Sequence, residues 1–361
     1  MINVTKTYLP DKEKYKRYVD EIYSNGWITN NGPLTRKLEK ELCKYLGVQN
    51  IILVANGTAA LEIAYRVLDL KGYAITTPFS FVATTSSLVT NNIKPIFVDI
   101  DKETLNMDTN KIESFITPNT SAIVPVHVFG NSCDVEKIAS IATKHKLKII
   151  YDAAHAFNVK FKDTSVLNYG DISTLSFHAT KLFHTIEGGA LIINDESLVQ
   201  KARYLINFGI ENAESIPNLG INAKMNEFEA AMGLCILDEM NEISKKRKEI
   251  YKIYENKLKH IVKMQIQNNN SSQNHSYFPI ILKDTNEMLN IKKKLNDTDI
   301  FPRRYFYPSL DTLYYIEPKQ FCKNSRDLAS KILCLPLYPE LSKDDQLIII
   351  EIIKSVIGKT L

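Results

Sequence analysis

The stretch TLSFHATKLFHTIEGGALII, residues 174–193, sets a lone lysine, Lys181, between two short apolar runs. The runs Thr174–Phe177 and Ala190–Ile193 do not alternate apolar with polar residues, which is typical of strands buried on both faces. A lysine at a strand end is usually a surface residue whose stem packs against apolar neighbours. The hydroxyl of Ser176 and a following pair of glycines favour a functional lysine here instead.

Five further apolar runs of the same kind precede this stretch, and helical patterns fall between several of them. The runs are Ile51–Val54, Tyr73–Thr77, Pro95–Ile100, Ala122–His127 and Leu147–Tyr151. Helices are predicted at Thr58–Leu68 and at Val135–His145. Strands and helices that alternate in this way predict an α/β fold around a mainly parallel, seven-stranded sheet.

The chain changes character after Gly220. One long helix is predicted from Asn226 to about His260, because the stretch contains no proline and only one glycine. The remainder mixes one strand with two helices, at Tyr277–Leu282, Glu287–Leu295 and Lys343–Ile357. This pattern predicts a smaller α+β domain, so we divide the chain into a large domain, residues 1–240, and a small C-terminal domain, residues 241–361.

Composition argues against several classes of protein. The 361 residues carry a net charge of only +4 and no long basic run, which argues against a nucleic-acid partner. No apolar run approaches the ~20 residues of a membrane span, and the first residues lack the apolar core of a signal peptide. The five cysteines lack the paired spacing of a zinc site or a disulfide framework. We therefore predict no metal, no membrane partner and a cytoplasmic location.

Polar residues stand where ligands bind in open α/β sheets, after the carboxyl ends of strands. Gly57 and Thr58 open a helix whose free amides suit a phosphate, although a turn with a helix cap is the commoner explanation. Asp152 directly follows a strand, and a buried carboxylate needs a cationic or hydrogen-bonding partner, for which a protonated pyridine nitrogen would serve; a helix N-cap is the alternative. Phe81 suits stacking on a flat ring or a place in the core, and His155 suits a binding site or a bonded core position.

Together with Lys181, these residues match the needs of one cofactor. Lysine amines form Schiff bases with carbonyl compounds, and pyridoxal phosphate (PLP) enzymes need such a lysine together with an aspartate for the pyridine nitrogen. A phosphate-binding turn, a stacking aromatic ring, a carboxylate and a lysine follow one another along a single predicted sheet. The combination predicts PLP as the cofactor.

Three loop segments complete the set of candidates. The segment FPRRYFYPSL contains Arg303, Arg304, Tyr305 and Tyr307. Its two cations and two aromatic rings suit the binding of a nucleoside diphosphate, and an ordinary basic surface loop is the alternative. Trp27 lies in a turn-like stretch and either lines a sugar site or anchors the N-terminal segment. The asparagine-rich residues 268–274 are predicted to form a surface turn.

Nine stretches in order along the chain resemble the sugar-nucleotide aminotransferases of the DegT/StrS type. They are GWITNNGP, NGTAAL, PFSFVAT, PIFVDID, VHVFG, YDAAHA, SFHATKLFHTIEGGA, KMNEFEAAMG and LPLYPEL. The resemblance covers essentially the whole chain and is strongest to the VioA-type branch, which makes dTDP-4-amino-4,6-dideoxyglucose. It implies the aspartate aminotransferase fold, also called the type I PLP fold, and a homodimer whose active site is shared between subunits.

The resemblance also implies roles for individual residues. Lys181 is expected to bind the cofactor aldehyde and to move protons, with Asp152 at the pyridine nitrogen and His155 beside the 3′-oxygen. Phe81 is expected to stack on the ring. The phosphate is expected to contact Gly57, Thr58, Ser176 and, from the neighbouring subunit, Asn226.

The implied function is PLP-dependent transamination of a nucleotide-linked 4-keto-6-deoxy sugar. The expected substrate is dTDP-4-dehydro-6-deoxy-D-glucose, with a donor such as L-glutamate, in the synthesis of O-antigen or another surface polysaccharide. One alternative is a 3-aminotransferase that acts on a 3-keto sugar nucleotide. Another is a non-catalytic regulator that binds PLP, against which the intact set of Asp152, His155 and Lys181 argues. Relatives that carry histidine in place of Lys181 are sugar dehydratases, so the lysine favours amino transfer.

Overall fold

A seven-stranded sheet organises the larger part of the computed structural model, which describes residues 1–358. In chain order the strands are β1 Ile2–Asn3, β2 Ile51–Val54, β3 Tyr73–Thr76, β4 Lys94–Phe97, β5 Thr120–Val124, β6 Lys148–Asp152, β7 Lys160–Phe161, β8 Thr164–Ser165, β9 Ile172–Ser176, β10 Gly189–Ile193, β11 Phe278–Ile281, β12 Ile300–Phe301 and β13 Ile332–Leu335. The large sheet has the order β2-β10-β9-β6-β5-β3-β4. Its neighbours are parallel, except that β10 runs antiparallel to β2 and β9. The predicted mainly parallel, seven-stranded sheet is confirmed.

Helices cover both faces of this sheet and build the rest of the molecule. In chain order they are α1 Lys12–Asn25, α2 Pro33–Leu46, α3 Gly57–Val67, α4 Ala83–Thr90, α5 Val135–His145, α6 Val199–Leu205, α7 Glu227–Leu258, α8 Thr285–Asn296, α9 Lys323–Lys331 and α10 Lys343–Ile357. The predicted long helix after Gly220 is α7, with Asn226 as its N-cap. Among residues 1–358, no helix combines the length and the apolar character that crossing a bilayer requires.

The apolar runs lack alternation because each strand packs against a core on either side. In β2, Ile51 and Leu53 face one core while Ile52 and Val54 face the other. The first core lies under α2, α5 and α7, and the second lies under α3 and α6. Since both faces are covered by helices, every position of these strands gains from burial, at about 1.5–3 kcal/mol for a large apolar side chain.

A separate core forms the smaller part of the protein. It joins the C-terminal half of α7 to α8, α10 and the antiparallel pair β11–β13. The N-terminal strand β1 pairs in parallel with β12, so the first residues of the chain also belong to this part. The division at residue 240, within α7, stays a prediction, and the last three residues of the predicted small domain lie outside the described residues.

A buried carboxylate joins the long helix to the N-terminal helices. Glu227, the first residue of α7, is completely buried. It accepts hydrogen bonds from the backbone amides of Leu34 at 2.7 Å and Thr35 at 2.9 Å, in the first turn of α2. Helix α2 has no side-chain cap of its own, because its N-cap residue is Gly32. A Cβ atom at Gly32 would lie 2.5 Å from Glu227 Cδ, so glycine is needed there for close approach. Glu227 thus satisfies free backbone donors at the start of α2, although Leu34 precedes it by 193 residues in the sequence.

We expect Glu227→Ala to lower the free energy of unfolding by about 3 kcal/mol, because it leaves buried donors at the start of α2 without an acceptor. Urea denaturation followed by circular dichroism measures this loss. Glu242→Ala on the same helix is the matched control, since that carboxylate is exposed and forms a surface ion pair with Lys246. The control should change the same quantity by less than about 0.5 kcal/mol. Equal losses in the two variants would contradict the capping role.

Candidate active site

The carboxyl ends of β6 and β9 open into a cavity of about 360 Å³. Nine of the predicted site residues line it: Gly57, Thr58, Phe81, Asp152, His155, Ser176, Lys181, Arg303 and Tyr305. A larger cleft, of about 680 Å³, lies beside the smaller core near Lys102 and Lys263. None of the predicted residues lines that cleft, so we place the chemistry in the smaller, deeper cavity.

Lys181 lies in the turn that follows β9, with its amine inside the cavity. The residue as a whole is half-buried, because its stem borders the open space. Its Nζ lies 3.5 Å from the hydroxyl of Tyr277. Burial of the amine lowers the pKa of Lys181 to about 8, although the negative charge of Asp152 acts in the opposite direction. About a tenth of this amine is therefore neutral and nucleophilic at pH 7, far more than for an ordinary lysine.

Asp152 ends β6 and is only 6% exposed. One carboxylate oxygen accepts the Thr84 hydroxyl at 2.7 Å, and the other accepts the Ala154 amide at 3.2 Å. Burial raises the pKa of Asp152, while these two hydrogen bonds and the charge of Lys181 lower it. The carboxylate is held by short-range donors and still borders the cavity.

His155 is held as a neutral ring. Its Nδ1 accepts the Phe129 amide at 3.3 Å, which leaves the proton on Nε2. Its ring stacks on Phe306 at 5.6 Å and meets Tyr277 edge-on at 4.8 Å. Burial, and secondarily Lys181, lowers the pKa of His155 well below its ordinary value. The ring is therefore an oriented, uncharged donor next to the lysine.

The start of α3 forms a cradle for an anion. Asn56 caps the helix by accepting the Ala59 amide at 2.8 Å. The amides of Gly57 and Thr58 make no hydrogen bond within residues 1–358 and border the cavity. A Cβ atom at Gly57 would lie 2.8 Å from Cβ of Ser176, so glycine lets that serine reach the helix start. Two free amides and the hydroxyls of Thr58 and Ser176 are therefore available to an anion at the positive end of this helix.

The remaining predicted residues differ in where they lie. Phe81 borders the cavity with 52% of its surface exposed, and the Arg303 guanidinium lies 4.8 Å from the ring of Tyr305. Arg304 instead donates to the carbonyl oxygens of Ala329 and Ser330 and covers the ring of Tyr307. Trp27 contacts Arg36 at the surface, and Asn226 caps α7 by accepting the Glu229 amide at 3.0 Å. Arg304, Tyr307, Trp27 and Asn226 do not line the cavity of their own chain.

Several contacts were not predicted from the sequence. Tyr277 and Phe306 enter from the smaller part of the protein, and Thr84 bonds Asp152 from the start of α4. Thr84 lies in the stretch PFSFVAT, whose pattern pointed only to the aromatic residue. The asparagine-rich segment was predicted as a surface turn, yet Asn274 donates to the carbonyl oxygens of His155 at 2.8 Å and Phe157 at 3.0 Å. It supports the backbone behind the site.

The geometry suits a flat molecule that carries a phosphate and an aldehyde. The amine of Lys181 and the carboxylate of Asp152 border one cavity, and the anion cradle at Gly57 borders it as well. An amine is the group that bonds an aldehyde, and a buried carboxylate pairs with a protonated ring nitrogen. Within residues 1–358, no cluster of His, Cys, Asp or Glu is arranged to hold a metal ion.

Comparisons with known proteins agree with this site. Residues 10–354 match the DegT/DnrJ/EryC1/StrS aminotransferase family. A dTDP-4-amino-4,6-dideoxy-D-glucose transaminase of Shigella dysenteriae is 47% identical over 353 residues, which cover 95% of each chain.

Two solved structures have the same fold. DesI, solved in the presence of its TDP-sugar product, has a TM-score of 0.94 and 28% identity, with 99% of this chain and 93% of that chain covered. The PLP form of the putative sugar aminotransferase Spr1654 from Streptococcus pneumoniae has a TM-score of 0.90 and 25% identity, with 99% of each chain covered. The match over nearly the whole length, with the lysine, aspartate and histidine in one cavity, shows that this chain is a member of the DegT/DnrJ/EryC1/StrS aminotransferase family.

Proposed function

We propose that the protein is a PLP-dependent aminotransferase that converts dTDP-4-dehydro-6-deoxy-D-glucose into dTDP-4-amino-4,6-dideoxy-D-glucose. The observation that carries the proposal is the pairing of Lys181 and Asp152 in one cavity beside an anion cradle. The 47% identity to a transaminase named for this product supports the choice of sugar and of carbon 4. The amino donor is an α-amino acid such as L-glutamate.

The residues of the cavity fit PLP. Gly57, Thr58 and Ser176 would hold its phosphate, because their amides and hydroxyls are free donors at a helix start. Asp152 would pair with its ring nitrogen, and Phe81 offers a ring face at the cavity wall. When bound, PLP supplies an aldehyde that takes up an amino group and a ring that withdraws electrons from the adjacent carbon.

Proton transfer falls to Lys181. As a neutral amine it removes a proton from the α-carbon of the amino donor and later delivers one to the sugar carbon that gains nitrogen. Tyr277, 3.5 Å from Nζ, holds this amine in the cavity. Because Nδ1 of His155 accepts the Phe129 amide, the ring carries its proton on Nε2. This N–H group is available as a hydrogen-bond donor. With PLP bound, the Asp152 carboxylate would keep the proton on the ring nitrogen.

The substrate end of the site combines residues of one or two subunits. Arg303 and Tyr305 border the cavity and bind the charged part of the sugar nucleotide. Four other candidates lie outside the cavity of their own chain: Trp27, Asn226, Arg304 and Tyr307. We propose that the protein is a homodimer, and that Asn226 reaches the phosphate site of the partner subunit.

We further propose that the enzyme works in the cytoplasm and serves the synthesis of O-antigen or another surface polysaccharide. Its five cysteines are all free thiols, four of them buried, which suits a reducing compartment. A sugar nucleotide with an amino group is an activated building block, so a glycosyl transfer consumes it.

The product test separates amination at carbon 4 from amination at carbon 3. Purified protein is incubated with PLP, L-glutamate and dTDP-4-dehydro-6-deoxy-D-glucose, and the product is analysed by NMR. We expect nitrogen on carbon 4. Nitrogen on carbon 3 would contradict the choice of sugar position, and no amino sugar together with tight PLP binding would favour a regulator.

We expect Lys181→Ala to abolish covalent attachment of PLP and to lower turnover by about a thousandfold or more, because the nucleophile and proton carrier are lost. Borohydride reduction followed by peptide mass spectrometry locates the attachment. Lys246→Ala, at an exposed ion pair on α7, is the control and should leave both attachment and turnover unchanged. Attachment that persists in Lys181→Ala would refute the assignment.

The rate of PLP attachment to the cofactor-free protein should depend on pH through the lysine. Only the neutral amine reacts, so lowering the pKa to about 8 shifts the reactive form to lower pH. We expect the rate to rise about tenfold per pH unit below pH 8 and to level off above it. Stopped-flow absorbance measures this, with Nα-acetyl-lysine amide as the reference for the reaction of PLP itself. A rate that keeps rising until the pH approaches 10.5, the ordinary pKa of lysine, would contradict a desolvated amine.

A further inference from the structure

A chain of hydroxyl groups leads into the buried carboxylate. Ser80 Oγ lies 2.7 Å from Thr84 Oγ1, which lies 2.7 Å from Asp152 Oδ2. All three residues are at most 6% exposed. Ser80 precedes α4 and Thr84 lies in its first turn. Thr84 comes 68 residues before Asp152 in the sequence, so tertiary folding brings the two together.

The charge of the carboxylate fixes the direction of this chain. Thr84 has a single hydroxyl proton, and an ionised Asp152 can only accept. Because Thr84 donates that proton to Asp152 in a hydrogen bond, the oxygen of Thr84 accepts a hydrogen bond from Ser80. A proton on Asp152 Oδ2 would reverse both hydrogen bonds. The order Ser80 to Thr84 to Asp152 is therefore the arrangement that matches an ionised carboxylate, and donors to a charged acceptor are the stronger ones.

Burial works against that ionised state. Two other groups act on the carboxylate: the Ala154 amide donates to Oδ1, and the charge of Lys181 interacts with it. Because Lys181 is used for covalent attachment and is neutral in part, it cannot hold the charge of Asp152 by itself. Thr84 donates its hydroxyl proton to Asp152, and within residues 1–358 that hydroxyl otherwise bonds only Ser80.

We propose that Thr84, supported by Ser80, is a positioning residue that keeps Asp152 ionised and aimed at the cavity, and thereby keeps the pyridine nitrogen of PLP protonated. The inference rests on the proposed function, since it assigns Asp152 to that nitrogen. Thr84 acts only through Asp152: it shapes the electron-withdrawing strength of the ring without touching reactants.

The test measures the proton affinity of the two partners directly. Wild type, Thr84→Val, Thr84→Ser and Ser80→Ala are loaded with ¹⁵N-labelled PLP, and the ring nitrogen shift is followed against pH. We expect Thr84→Val to weaken proton binding at the nitrogen about tenfold, since it removes one charge-assisted bond. Thr84→Ser keeps the hydroxyl and should restore most of that loss, and Ser80→Ala should show a smaller change in the same direction.

A second readout uses the cofactor-free protein. The carboxyl carbon of Asp152, assigned with Asp152→Asn, is titrated by ¹³C NMR, and Thr84→Val should bind a proton about tenfold more tightly than wild type. Thr90→Val is the matched control, because Thr90 lies on the same helix and bonds Glu62 and the backbone instead of Asp152. It should leave both titrations unchanged.

The outcomes separate this inference from the proposed function. Unchanged titrations of both the ring nitrogen and Asp152 in a folded Thr84→Val would overturn the role of Thr84. Wild type that binds no PLP would overturn the proposed function, while the carbon titration would still decide whether Thr84 holds the charge. If Thr84→Val does not fold, Ser80→Ala carries the test: it must shift both titrations in the stated directions, and no shift in either refutes the chain.

Discussion

A carboxylate and an amine share one cavity in this protein, and the rest of the site follows from that constraint. Burial favours the neutral form of both groups, as the directions of their pKa shifts indicate. The fold keeps them useful in different ways. Asp152 receives hydrogen bonds that favour its charge, whereas Lys181 is left with few donors and acceptors and so becomes a reactive amine. The separation of roles depends on which neighbours each group has.

Those neighbours come from distant parts of the chain. The large sheet places Asp152 and Ser176 at adjacent strand ends, and the smaller part of the protein closes the cavity with Tyr277, Arg303 and Phe306. The same dependence on distant contacts appears in the scaffold, where Glu227 at the start of α7 caps α2. In each case a buried polar group depends on residues that only tertiary folding brings near.

Much of the sheet could be read from the sequence because its strands obey one simple rule. Runs such as Ile51–Val54 are apolar throughout, since helices cover both faces, and the structure gives that strand the same bounds. The site at Lys181 and Asp152 could likewise be predicted from the sequence, because ligands bind at the carboxyl ends of strands. Thr84, Tyr277 and Asn274 were not, since an ordinary threonine, tyrosine or loop asparagine carries no local mark of a partner tens of residues away. The pairing of β1 with β12 was missed for the same reason.

That pairing of the first strand has a consequence for synthesis on the ribosome. Ile2 meets Ile300, so the ribosome makes about 300 residues between the strand and its partner. Until then its backbone edge is unpaired, while the parallel sheet also waits for long-range contacts. The nascent chain therefore carries this strand unpaired until β12 has left the exit tunnel, and the core of the smaller part is complete only after α10 has followed.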